Sequence, residues 1–230
     1  MDIELHYTER GQGRPLILLH GNSESGEYFV HQAEELSAYF RVICPDTRGH
    51  GGTARGTAPF TISQFAEDLN GFMVRLGLDR ADILGFSDGA NIALSFAVRY
   101  PEKVNMLIAD GANLFPSGLK ARIRIPVTLS YIWYGFLSKF DSSFVPRAQM
   151  MALMAVEPHI NPRELSHIRA KTLIMAGSDD LIKRRHTELI HASVPGSELR
   201  IIDGDHFIAY RRPKEFNAAV LAFLCSDPRR

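Results

Sequence analysis

Short apolar runs closed by Gly, Pro or Asp alternate along the chain with longer stretches in which apolar residues recur every three or four positions. The short runs predict strands near 3–7, 15–20, 41–45, 81–86, 104–109, 171–176 and 198–202. The periodic stretches predict helices at 28–39, 62–76, 88–100, 184–192 and 213–224. Strand, helix, strand is the order that builds a mostly parallel sheet with helices on both faces, because its crossovers are nearly always right-handed. The expected fold class is therefore α/β, and a sheet of this kind meets its ligands at the carboxyl ends of its strands.

One segment breaks the alternation. Residues 113–165 show no strand pattern but gather aromatic and apolar side chains, among them Trp133, Phe136, Phe140, Met150 and Leu153. So long and apolar a stretch between strands reads as a small helical cap over the strand ends, with 1–112 and 166–230 forming the core of a single domain. Trp133 and Phe136 are the cap residues expected to touch substrate.

Composition narrows the partners. Twenty-six basic side chains balance twenty-six acidic ones, so bulk charge draws neither nucleic acid nor a membrane, and neither is expected as a partner. The opening MDIELHYTER alternates apolar and charged positions where a secretory leader would carry a basic start and an apolar run; a cytoplasmic protein is expected. Two cysteines, Cys44 and Cys225, are too few for a disulfide framework or a zinc cluster, and no metal or cofactor is expected.

The chemistry concentrates at 83–94, ILGFSDGANIAL, where a strand enters Gly85-Phe86-Ser87-Asp88-Gly89 and passes straight into a helix. This is G-x-S-x-G in strand-turn-helix context. The tight turn holds Ser87 in a strained geometry above the sheet, the glycines remove side chains that would clash, and the helix N-terminus favours negative charge on an attacked carbonyl.

With these residues the chain resembles an α/β-hydrolase over nearly its whole length. His20-Gly21-Asn22, Asp46-Thr47-Arg48-Gly49-His50-Gly51 and Arg99-Tyr100-Pro101 each stand where that family places a comparable turn. The resemblance implies an oxyanion hole made by the backbone N–H of Asp88 and one from the His-Gly turn, Asn22 or alternatively Ser23, which replaces a commoner proline. Family order, serine then acid then histidine, points to Gly177-Ser178-Asp179-Asp180 and to Asp203-Gly204-Asp205-His206. His206 is the expected base. Asp180 is favoured over Asp179 because adjacent side chains at a strand end point in different directions. His20 and His50 are expected in structural hydrogen bonds, whereas His31, His159, His167, His186 and His191 are expected to face solvent.

Ser-Asp-Gly at the elbow, Gly111-Ala112-Asn113 and Phe216-Asn217 most resemble the valacyclovirase-like (biphenyl-hydrolase-like) branch, whose members hydrolyse α-amino-acid esters. The resemblance implies that Asp88, a charge otherwise ill placed beside an oxyanion, pairs with a substrate ammonium. The expected function is hydrolysis of a small carboxylic ester through an acyl-enzyme. The rivals are a carbon-carbon bond hydrolase of keto-acid type and a receptor-like protein with little turnover.

Overall fold

The computed structural model describes residues 2–226. Within them seven strands, β1 (Tyr7–Arg10), β2 (Pro15–Leu19), β3 (Arg41–Pro45), β4 (Ala81–Phe86), β5 (Val104–Asp110), β6 (Lys171–Gly177) and β7 (Glu198–Ile202), form one sheet in the order β1-β3-β2-β4-β5-β6-β7. β1 pairs antiparallel with β3 at one edge; the remaining pairs are parallel. The helices are α1 (Val30–Leu36), α2 (Ile62–Arg75), α3 (Asp88–Arg99), α4 (Ala121–Leu137), α5 (Val145–Ala155), α6 (Arg184–Ser193), α7 (Ile208–Arg211) and α8 (Pro213–Leu224).

The central strands are buried almost from end to end and composed of Leu, Ile, Met and Ala, as strands covered on both faces must be. Alternate residues serve opposite layers. Ile17, Ile83 and Leu107 pack with Phe72 of α2, Phe96 of α3 and Ile190 of α6, while Leu16, Leu84 and Ile108 pack with Leu36 of α1 and Phe216 and Val220 of α8. Each fully buried Leu, Ile or Phe contributes about 1.5–3 kcal/mol by leaving water. Arg48, fully buried, forks onto Asp68 through Nε and Nη2, both at 2.7 Å, and reaches Asp2 at 2.7 Å. Paired on both sides, its charge is compensated where a lone buried guanidinium would not be.

The strand expected at 3–7 is displaced. Ile3 and Leu5 are buried, but the paired segment is Tyr7–Arg10, whose four residues are all exposed. Apolar alternation at 3–7 marks packing, while the edge strand is held by backbone pairing and carries no hydrophobic signature. The helix expected at 28–39 begins only at Val30, after a 3-10 turn over Gly26–Phe29. Between β5 and β6 the chain leaves the sheet for α4 and α5, which pack on each other. No helix among the described residues is long and apolar enough to cross a membrane.

Candidate active site

β4 delivers Ser87 with φ +53° and ψ −118°, a conformation that costs about 1–3 kcal/mol outside glycine. It is sustained from both sides. Ser87 N–H donates to the Asp110 carbonyl at 2.8 Å, and Gly85 and Gly89 let the chain cross itself: a Cβ on Gly85 would strike the Gly89 carbonyl, and one on Gly89 the Leu19 carbonyl. The first N–H groups of α3 have no acceptor within the helix and stand beside the Ser87 hydroxyl.

Two other strand ends bring their groups to this hydroxyl. Beyond β7, His206 lies with Nε2 3.0 Å from Ser87 Oγ and Nδ1 2.7 Å from Asp180 Oδ1. Asp180, beyond β6, also accepts from the N–H of Ile182 at 2.8 Å and of Gly177 at 3.3 Å. An ionised acceptor at Nδ1 keeps the proton on that nitrogen, leaving Nε2 as acceptor for the serine hydroxyl. Asp179 points elsewhere: it is 70% exposed and paired with Lys120 at 2.6 Å and Arg122 at 3.3 Å. Close approach shapes the rear of the imidazole, since a Cβ on Gly111 (φ +65°) would lie 2.7 Å from His206 Cε1.

The fourth element is the turn after β2. Burial pushes His20 down to about 4, so the neutral ring donates from Nδ1 to the Gly21 carbonyl at 2.8 Å and accepts from Thr47 N–H at 3.0 Å. This fixes the turn against the loop after β3. Asn22 then joins three elements: its Nδ2 donates to Asp88 Oδ2 at 3.0 Å and to the Met150 carbonyl of α5 at 3.1 Å. Ser23 takes φ +62° and donates from its hydroxyl to Asn22 Oδ1 at 2.7 Å. Asp88 is buried, accepts also from Asn91 Nδ2 at 3.3 Å, and is pushed up to about 6, chiefly by burial.

Two further carboxyls belong to this neighbourhood and escape sequence reading. Glu24 accepts from Gly21 N–H at 3.0 Å; burial pushes it up to about 7, with Asp88 adding to the rise and His206 opposing it. Asp110, at the tip of β5, is fully buried, and neither side-chain oxygen has a hydrogen-bond partner. Burial first and the charge of Asp180 second hold it well above the usual carboxylate range. The only advance sign was a charged residue ending an apolar strand. His186, expected in solvent, is instead buried and accepts from Leu114 N–H at 2.8 Å, and burial pushes it down to about 4. It sits on the inward face of α6, where a neutral imidazole satisfies a backbone donor.

The expected substrate contacts Trp133 and Phe136 are not brought inward. Their rings stack on one another 6.2 Å apart, each more than half exposed. An outward face of α4 carries them, while α5 meets the site's Asn22 through the Met150 carbonyl. Among the described residues no group of three His, Cys, Asp or Glu is gathered as metal ligands would be.

Comparison with known proteins agrees with this geometry. Residues 14–145 match the family model described as alpha/beta hydrolase fold. The chain is 30% identical to a putative carbamate hydrolase, RutD, of Rhizobium rhizogenes, covering 97% of both proteins. It is 28% identical to the serine hydrolase BPHL of Homo sapiens, over 96% of this chain and 83% of that one. Among solved structures, the enol-lactonase of Burkholderia xenovorans superposes with a TM-score of 0.82 at 19% identity, covering 97% of each chain, a likeness of fold.

Proposed function

The chain belongs to the alpha/beta hydrolase fold family, and we propose that within it this protein is a serine hydrolase of small carboxylic esters working through an acyl-enzyme. One observation carries the reading: the unbroken chain of hydrogen bonds from Ser87 through His206 to Asp180, assembled from three strand ends. Ser87 Oγ attacks the ester carbonyl as His206 Nε2 takes its proton, and Asp180 holds the ring and stabilises the imidazolium. The N–H groups of Asp88 and Asn22 receive the oxyanion. His206 then gives its proton to the departing alcohol and next activates the water that releases the acid.

Asp88 is the proposed reader of a substrate ammonium. Two side-chain amides leave lone pairs of its carboxylate unused, and although burial raises it to about 6 it is still anionic above that pH. Above it, 113–165 would act as a cap joined to the core by the Asn22–Met150 bond. Relatives on both sides stand at equal distance, BPHL at 28% identity and a 2-hydroxy-6-oxo-2,4-heptadienoate hydrolase at 27%; what favours the ester reading over the keto-acid alternative is Asp88, whose charge would repel the carboxylate of a keto acid.

A fluorophosphonate probe should label Ser87, with labelling lost in Ser87→Ala while the circular dichroism stays unchanged; unchanged ester turnover in that variant removes the assignment. Asp88→Asn should cost amino-acyl esters about 10–100-fold more in kcat/KM than their des-amino analogues. In the parent, that preference should rise as pH climbs through 6, where Asp88 ionises, and fade above about 8 as the substrate amine loses its proton. Equal losses on both substrate classes eliminate the ammonium contact.

A further inference from the structure

α4 contradicts its own composition. From Ile125 to Ser138 it carries no charged residue, yet no residue of the helix is buried, whereas helices apolar on all sides normally lie inside a protein or an assembly. α5 covers one side. On the other, Ile125, Leu129, Ile132, Trp133, Phe136 and Phe140 are each 51–76% exposed. Within α4 the spacing of the first five places them in about 100° of arc at 3.6 residues per turn, and Phe140 follows in the turn after the helix. The row is continuous: Trp133 meets Phe136 at 6.2 Å and Phe136 meets Phe140 at 5.1 Å between ring centres.

We propose that this stripe is the two-fold interface of a homodimer in which α4 packs antiparallel against α4 of a second copy. Area supports it. At about 200 Å² for a large side chain, the six leave about 700 Å² uncovered, against about 800 Å² per partner in a stable interface. Steps of three and four residues are those of a helix that seats another helix. Shape supports it as well: beside Ile125 and Leu129 lies a groove of about 360 Å³ lined by Pro116, Arg124, Ile125, Thr128, Leu129 and Ala155. A two-fold axis between Ile132 and Trp133 sets position 140 of one copy opposite 125 of the other, so Phe140, the most exposed residue of the stripe, enters that groove.

Charge selects the direction. Over 113–156 the sequence holds five cations, Lys120, Arg122, Arg124, Lys139 and Arg147, and one acid, Asp141; Lys120 and Arg122 are already paired with Asp179. A parallel pair would stack Arg124 on its own copy. The antiparallel pair separates the two Arg124 side chains and lays the Asp141 end of one copy on the Arg124 end of the other. The inference is independent of the reaction assigned to Ser87.

Sedimentation of the full chain from about 0.1 to about 100 µM tests it, with a dimer expected to form in the micromolar range. Leu129→Glu and Phe136→Glu, both at exposed positions and each counted twice by symmetry, should stay folded by circular dichroism and weaken association by about 100-fold or more. Trp133 is the only tryptophan, so emission should move to the blue on association and return on dilution. Ile132→Cys, next to the axis, should form a disulfide with its own copy under diamide, which takes up the two thiol hydrogens, while the parent with Cys44 and Cys225 does not. A monomer at the highest concentration overturns the proposal, as does a dimer indifferent to both glutamates. A Trp133 shift seen only with phosphatidylglycerol vesicles overturns it in favour of a lipid surface.

Discussion

The carboxyl end of the sheet and the α4–α5 pair solve opposite problems with adjoining stretches of chain. Around Ser87 and His206, positions are set by main-chain contacts that leave almost no slack: an N–H bond from Ser87 to the next strand, glycines with no room for a methyl, a carboxylate held by two amides. α4 has no buried residue and touches the rest of the molecule chiefly through α5. A site that must hold atoms to fractions of an ångström is built from backbone bonding. A surface that must meet something outside the chain is built from large, exposed, rotatable side chains.

The contrast breaks first at the acids. Asp180→Asn should lower kcat by about 10⁴-fold, because an amide no longer selects the Nδ1 tautomer. Asp110→Asn should stay within about threefold, since burial and the charge of Asp180 already push that carboxyl toward its neutral form, which an amide resembles; comparable losses in the two variants would erase the distinction drawn between them. Gly111→Ala comes next, at about 10²-fold, through a methyl driven against the imidazole, with kcat falling and the far-ultraviolet spectrum unchanged. Asn22→Ala should cost about tenfold in kcat/KM and speed amide hydrogen exchange in α5 but not in β4, which is how a tether, as opposed to a pillar, behaves.

The smallest effect sharpens the boundary of the site. Glu24 rises from 4.5 to about 7, so the folded state holds its proton more tightly than the unfolded chain does. Its contribution is complete below about 4.5 and is lost as pH climbs through 7. Glu24→Gln should therefore gain thermal stability over the parent on going from pH 5 to pH 8, read as a widening Tm difference. A difference that stays flat would place Glu24 in ordinary solvent, outside the buried rim.

The buried strands and the nucleophile turn were legible because their signals are strong: short, mostly apolar runs and two glycines at fixed spacing about Ser87. Asp180 was legible only through order along the chain and the divergence of neighbouring side chains, and the structure sets it, not Asp179, against His206. Edge strand β1 was misplaced because exposure on both faces leaves no period to read. His186 could not be told from a surface histidine, since what it satisfies is the N–H of Leu114, 72 positions away. Trp133 and Phe136 were assigned inward because a helix apolar on every side does not say which side meets the site. Glu24 gained its character from burial, which no local pattern encodes, and Asp110 offered only a charge at the end of an apolar strand.

The bond from Asn22 to residue 150 ends on a peptide oxygen. Every amino acid supplies that atom, so the side chain at 150 can drift through mutation while the fastening persists. Divergence of the α4–α5 pair and persistence of its fastening are thereby uncoupled, and a selection experiment that randomises 150 should return many functional sequences where one that randomises 22 returns few.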